Sequence, residues 1–109
     1  MRLSEYQERS RATAVYPGAG DNLLYPTLGL CGEAGEVAEK IKKMVRDDGA
    51  VLSEERRAAL SKELGDVLWY LAQLATEAEL DLDAIAEDNL QKLLSRRERN
   101  ALQGSGDNR

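Results

Sequence analysis

The sequence predicts an all-α fold, and three observations carry that expectation. Apolar residues recur at helical spacing in four segments. No segment shows the strict alternation of a half-buried strand. The apolar content is mostly Leu, Ala, Val and Ile, with no Phe and one Trp, a set that fills helix interfaces rather than aromatic-rich sheets.

The first helix is expected from Ser4, as N-cap, to about Val15, where Pro17-Gly18-Ala19-Gly20-Asp21 breaks it. The second begins between Leu24 and Thr27, because Pro26 is tolerated in a first turn, and runs to about Arg46 before Asp47-Asp48-Gly49. Its expected inward stripe is Leu24, Leu28, Cys31, Val37, Ile41 and Met44/Val45. The third opens at Ser53 as N-cap, with Glu54 and Glu55 complementing the helix dipole, and turns Leu60, Leu64, Val67/Leu68, Leu71 and Leu74 inward. Asp83 is expected to cap a fourth helix with Ile85, Leu90, Leu93 and Leu94 inward, fraying near Asn100. Residues 1–100 therefore read as a single domain and residues 101–109 as a flexible tail.

A chain of 109 residues builds only a small core, so oligomerisation is expected. The net charge of −5 lacks the basic field that holds a nucleic acid polymer by neutralising its phosphates. A small polyphosphate remains within reach if divalent cations sit between the two negative partners and reverse the local field. The N-terminal residues lack the apolar stretch of a secretory signal and no run approaches membrane-spanning length, so a cytoplasmic location without membrane contact is expected. Cys31 is the only cysteine. It falls on the expected apolar stripe, which reads as a buried small side chain rather than a reactive thiol.

Two carboxylate pairs stand out: Glu33 with Glu36 on the second helix, and Glu63 with Asp66 on the third. Each pair at i, i+3 projects from one helix face, and Mg²⁺ takes hard oxygen ligands of this type. All four flank apolar stripe positions, where a bundle-interior metal site belongs. With 20 acidic residues in the chain, solvated face charges are the alternative for each pair taken singly. Gly29, Gly32, Gly35 and Gly65 lie inside the expected helices, where each costs about 0.8–1.0 kcal/mol relative to Ala. Close approach of a substrate or another backbone offsets that cost; so does tight helix packing. Lys40, at i+4 from Glu36, is either a surface partner of Glu36 or a phosphate ligand. Asn89, Lys92 and Arg96 share one face of the fourth helix and form a candidate phosphate-binding row, with a solvated face as the alternative.

The stretch Leu28-Gly-Leu-Cys-Gly-Glu33-Ala-Gly-Glu36-Val-Ala-Glu-Lys40, followed by Lys62-Glu63-Leu-Gly-Asp66-Val-Leu-Trp-Tyr70-Leu-Ala, resembles the MazG-type nucleotide pyrophosphohydrolases. Their Glu-x-x-Glu, spacer, Glu-x-x-Asp signature is matched with a spacer over residues 37–62, and the similarity runs from about Leu24 to Arg97. The resemblance implies a four-helix bundle-like assembly completed by oligomerisation, as a homodimer or homotetramer. It implies Glu33, Glu36, Glu63 and Asp66 as Mg²⁺ ligands, with Mn²⁺ as a substitute, and Asn89, Lys92 and Arg96 as nucleotide contacts. Glu39 adds a further acid one turn on.

The reaction expected on that basis is hydrolysis of (deoxy)nucleoside triphosphates to the monophosphate and pyrophosphate, with Glu36 or Glu39 accepting the proton of the attacking water. The absence of histidine excludes a di-iron site built on Glu-x-x-His, excludes histidine-based catalysis and leaves zinc with one soft ligand. A non-catalytic helical module and a phosphoribosyl-ATP pyrophosphohydrolase-like enzyme are the competing readings. Tyr16, Leu24, Tyr25, Trp69 and Tyr70 are candidates to border the base, although Trp69 and Tyr70 at helical spacing also suit a core.

Overall fold

A computed structural model describes residues 1–109 and is all-α, with four helices and no strand. Helix α1 spans Leu3–Ser10 and passes into a short 3₁₀ turn at Arg11–Thr13; α2 spans Leu24–Asp47, α3 Glu54–Glu77 and α4 Leu82–Glu98. The expected Ser53 cap is present, its side chain accepting from the Arg56 amide at 3.1 Å. Asn22, just ahead of α2, accepts from the Tyr25 amide at 2.9 Å. Pro26 is buried in the first turn of α2, where a missing amide costs nothing.

Two expected caps are corrected. The α1 helix starts one residue before Ser4, and Asp81 rather than Asp83 caps α4 by accepting from the Ala84 amide at 3.0 Å. Ser4 and Asp83 instead bond each other. The Asp83 carboxylate accepts from both the amide and the hydroxyl of Ser4, so a first-turn acid of α4 satisfies an orphan donor of α1. The first helix also ends earlier than Val15, since the 3₁₀ turn at Arg11–Thr13 tightens the chain before Tyr16.

Helices α2 and α3 form an antiparallel pair joined by the short turn 48–53, strapped by Arg56 Nε donating to Asp48 at 2.7 Å. Gly29 faces the Tyr70 ring so closely that a Cβ there would lie 2.1 Å from Tyr70 Cε1. At Gly32, Gly35 and Gly65 a Cβ would meet nothing within 4 Å. Tight packing thus accounts for Gly29 alone.

Only seven residues of the chain are buried, among them Ala72, Ala75 and Leu82, with Tyr6 packed against that cluster. The expected inward stripes are therefore corrected in part. Leu24, Leu28, Ile41 and Val45 of α2, Leu64 and Leu71 of α3, and Ile85, Leu90, Leu93 and Leu94 of α4 are exposed on the single chain. Cys31 is exposed as well. The reason is geometric: α4 packs mainly on α1, leaving its apolar face uncovered. A radius of gyration of 16.8 Å, against about 13 Å for a compact chain of this length, reflects the same open arrangement. No helix is long and apolar enough to cross a membrane.

A polar network locks the α1–α2 turn onto α3. Glu77, at the last residue of α3, has a side chain only 1% exposed. Its Oε1 accepts from the Tyr16 hydroxyl, the Gly20 amide at 2.9 Å and Arg11 at 3.4 Å, while Arg11 also donates to Gln73 at 3.2 Å. The Tyr16 hydroxyl, followed by the Gly20 and Asn22 amides and Arg11, holds the Glu77 carboxyl below its ordinary value of 4.5 despite burial.

Two expectations follow. Gly29→Ala gains helix propensity of about 1 kcal/mol, but the clash with Tyr70 costs about 1–3 kcal/mol, so the net effect is a lowered Tm. Tm equal to or above wild type would show that the ring gives way. Because the folded-state pKa of Glu77 is depressed, its stabilisation is present above about pH 4.5 and lost as pH falls through the folded value. The Tm difference between wild type and Glu77→Gln should narrow on acidification; a constant difference would remove Glu77 from the acid response.

Candidate metal centre

The antiparallel register of α2 and α3 sets Glu33 opposite Asp66, with Glu63 one turn away, and brings their carboxylate oxygens within 4.8 Å of one another. Glu33 and Glu63 are half-buried and Asp66 is exposed. Burial and crowding act together on Glu33. Burial first, then a hydrogen bond with Glu63 and the charges of Asp66, Glu63 and Glu36, push the Glu33 carboxyl above its ordinary range. An oxygen-only donor set of this kind, short of positive charge, suits a hard divalent cation. The residues present therefore fit the metal that the signature implies.

Glu36 is exposed and outside this triplet, although near enough for its charge to act on Glu33. Lys40 does not pair with Glu36: its Nζ lies 3.8 Å from Glu63 Oε1, across the helix pair. Glu39 is held by Lys42 at 2.7 Å, and that bond lowers its pKa.

The phosphate-row candidates lie on α4. Asn89 and Lys92 border a shallow depression with Ile85 and Asp88. Lys92 and Arg96 both contact Asp107, at 3.1 and 3.4 Å. Residues 101–109, expected to be a free tail, turn back along α4, where Arg109 donates to the carbonyls of Ala101, Leu102 and Gly106. Arg96 is consequently 4% exposed.

The aromatic candidates gather at the Gly29 end of the helix pair. Tyr16 and Tyr25 stack with ring centroids 4.8 Å apart and planes 8° from parallel. Trp69 meets Tyr70 edge-on at 5.0 Å and donates from Nε1 to Thr13 at 2.8 Å. Tyr16 is buried, whereas Leu24 and Tyr25 are open to solvent. The Tyr70 hydroxyl is raised by burial first, then by Tyr25 and the charge of Glu33, which puts this ring beside the acids.

Sequence reasoning did not single out Tyr6, whose hydroxyl is raised by burial and by Asp66, nor Arg11, Gln73 and Glu77. A signal existed for the last two. Gln73 and Glu77 are polar residues one turn apart in the most apolar run of α3, where a buried polar pair demands partners.

The model of the MazG nucleotide pyrophosphohydrolase domain family matches residues 22–100. A relative named Gene 37 protein, from Mycobacterium phage L5, is 50% identical over 114 aligned residues that cover 100% of both chains. No solved structure matches. The family match takes in α2, α3 and α4 together with all three converging carboxylates, and the chain belongs to the MazG nucleotide pyrophosphohydrolase family.

Proposed function

We propose that the protein hydrolyses (deoxy)nucleoside triphosphates to the monophosphate and pyrophosphate with Mg²⁺, by water attack at the α-phosphorus, as a cytoplasmic house-cleaning enzyme of the nucleotide pool. The observation that carries the proposal is the convergence of Glu33, Glu63 and Asp66 from two helices within the family-matched segment. Glu36 supplies a further carboxylate at the rim. Mg²⁺, with Mn²⁺ as a substitute, would bind these acids and supply charge neutralisation for the phosphates.

The chain's own residues divide the remaining work. Glu36 takes the proton of the attacking water as the new O–P bond forms and the α–β bridging bond breaks, pyrophosphate leaving. Lys42 holds the Glu39 carboxylate and lowers its pKa, which works against Glu39 taking that proton. Lys40 balances Glu63 and keeps an ammonium beside the phosphate position. Asn89 and Lys92 offer an amide and an ammonium on α4 for the outer phosphates, and Arg96 joins them only where Asp107 gives up its guanidinium. Tyr25 and Leu24 offer the open apolar border for a base, backed by Tyr16, Trp69 and Tyr70.

The exposed apolar faces of α2, α3 and α4 support a homodimer or homotetramer, in which a neighbouring copy closes the bundle that one chain leaves open. Light scattering behind size exclusion should return twice or four times the chain mass; a stable monomer at micromolar concentration would overturn the assembly.

A panel of NTPs and dNTPs with Mg²⁺ should yield pyrophosphate; orthophosphate alone would sink attack at the α-phosphorus. Glu33→Gln or Asp66→Asn should lower kcat by about 10²-fold or more, since several kcal/mol of charge stabilisation is lost. Glu36→Gln is expected to cost about 10²–10⁴-fold and Glu39→Gln much less; the reverse ranking exchanges their roles. Mg²⁺ should raise the wild-type Tm by mass action, and less so at acid pH where protons compete for Glu33. A non-catalytic module would show no Mg²⁺-dependent shift.

A further inference from the structure

We infer that Glu77 is a positioning residue for nucleoside recognition, acting through the Tyr16–Asn22 turn to hold the Tyr25 ring as one wall of the base site. The inference rests on the nucleotide reading above and adds a residue that lies outside the carboxylate signature. Glu77 lies eleven positions after Asp66 on α3, about 16 Å along the helix. It cannot share a cation with the acid cluster, so any influence on the site passes through other side chains.

The path is continuous. Glu77 Oε1 accepts from the Tyr16 hydroxyl and from the Gly20 amide, gripping an irregular segment at its first residue and again two residues before its end. Gly18 and Gly20 adopt φ of 69° and 102° there, a backbone with little rigidity of its own. The same segment ends on Asn22, whose amide group donates to the Pro17 carbonyl at 2.7 Å and whose oxygen caps the Tyr25 amide. Tyr16 lies flat against Tyr25, and Tyr25 lies 6.5 Å from Tyr70, the ring seated on Gly29 one turn before Glu33. Tyr25 is 41% exposed while Tyr16 is 7% exposed. One ring of the stack is thus the support and the other the accessible surface.

Glu77 also carries a mark of a group kept for position as well as stability. Its Oε2 is buried without a hydrogen-bond partner, while Oε1 accepts from three donors. A buried carboxylate with one orphaned oxygen is a costly way to pin a surface turn. Placement of that turn over the aromatic rings gives the cost a purpose.

The test compares binding of two Mg²⁺-loaded probes by calorimetry on the full chain: an α,β-methylene nucleoside triphosphate, which resists cleavage, and inorganic triphosphate, which lacks a base. Loss of an aligned stacking wall in Glu77→Gln should weaken the nucleoside probe about tenfold and leave the triphosphate within about twofold. Tyr16→Phe, which removes the hydroxyl link but keeps the ring, should shift the same ratio in the same direction. It replaces Glu77→Gln in the comparison if that variant does not melt cooperatively. Equal weakening of both probes, or none, overturns the positioning role. Wild-type protein that binds neither probe overturns the nucleotide reading itself.

Discussion

The Tyr70 ring seated on Gly29 fixes how α2 and α3 cross, and most of the structure depends on that contact. An antiparallel pair of long helices can slide by whole turns at little cost when its seam is Leu and Ala alone. A ring that requires a missing Cβ opposite it permits one register. In that register Glu33 meets Asp66 and Lys40 meets Glu63, so the same contact that packs the apolar seam also assembles the acids.

Bringing the acids together works against the fold. Three carboxylates with oxygens within 4.8 Å repel one another, and burial first, then the Glu63 hydrogen bond and the neighbouring charges, make Glu33 hold its proton more tightly. Lys40 offsets part of it from 3.8 Å, too far for a close ion pair. Packing at Gly29 and Tyr70, together with the Glu77 network, supplies the opposing stability. Local conflict held by rigid surroundings is the usual condition of a binding site.

Helix class, the α2 boundaries, the start of α3 and the Ser53 cap were legible because each depends on residues close in sequence, whereas of the two expected carboxylate pairs Glu33, Glu63 and Asp66 come together and Glu36 stays outside. Interactions across the fold were not. Asp83 follows the rules of a cap, yet its carboxylate serves the start of α1, 79 residues away in sequence, while Asp81 caps α4. Lys40 at i+4 from Glu36 suggested a local pair, but α3 offers Glu63 across the seam. The apolar stripe of α2 has helical spacing, yet Leu24, Leu28, Ile41 and Val45 stay exposed because α1, α3 and α4 of one chain do not cover them. Periodicity reports which residues prefer burial, not which molecule buries them.

The uncovered stripe and the acid cluster lie on the same helix pair, and this adjacency constrains both. Leu28 precedes Glu33 by little more than a turn, and Leu64 sits between Glu63 and Asp66. Both leucines are more than half exposed on the single chain. Covering them removes water from around the carboxylates and deepens the local low-dielectric environment, which raises the cost of their unneutralised charge. A surface that gains stability by covering leucine therefore increases the demand for a cation at the acids. Were a second surface to cover these leucines, its association and cation binding would be linked through α2 and α3, with the register set by Tyr70 as the element common to both.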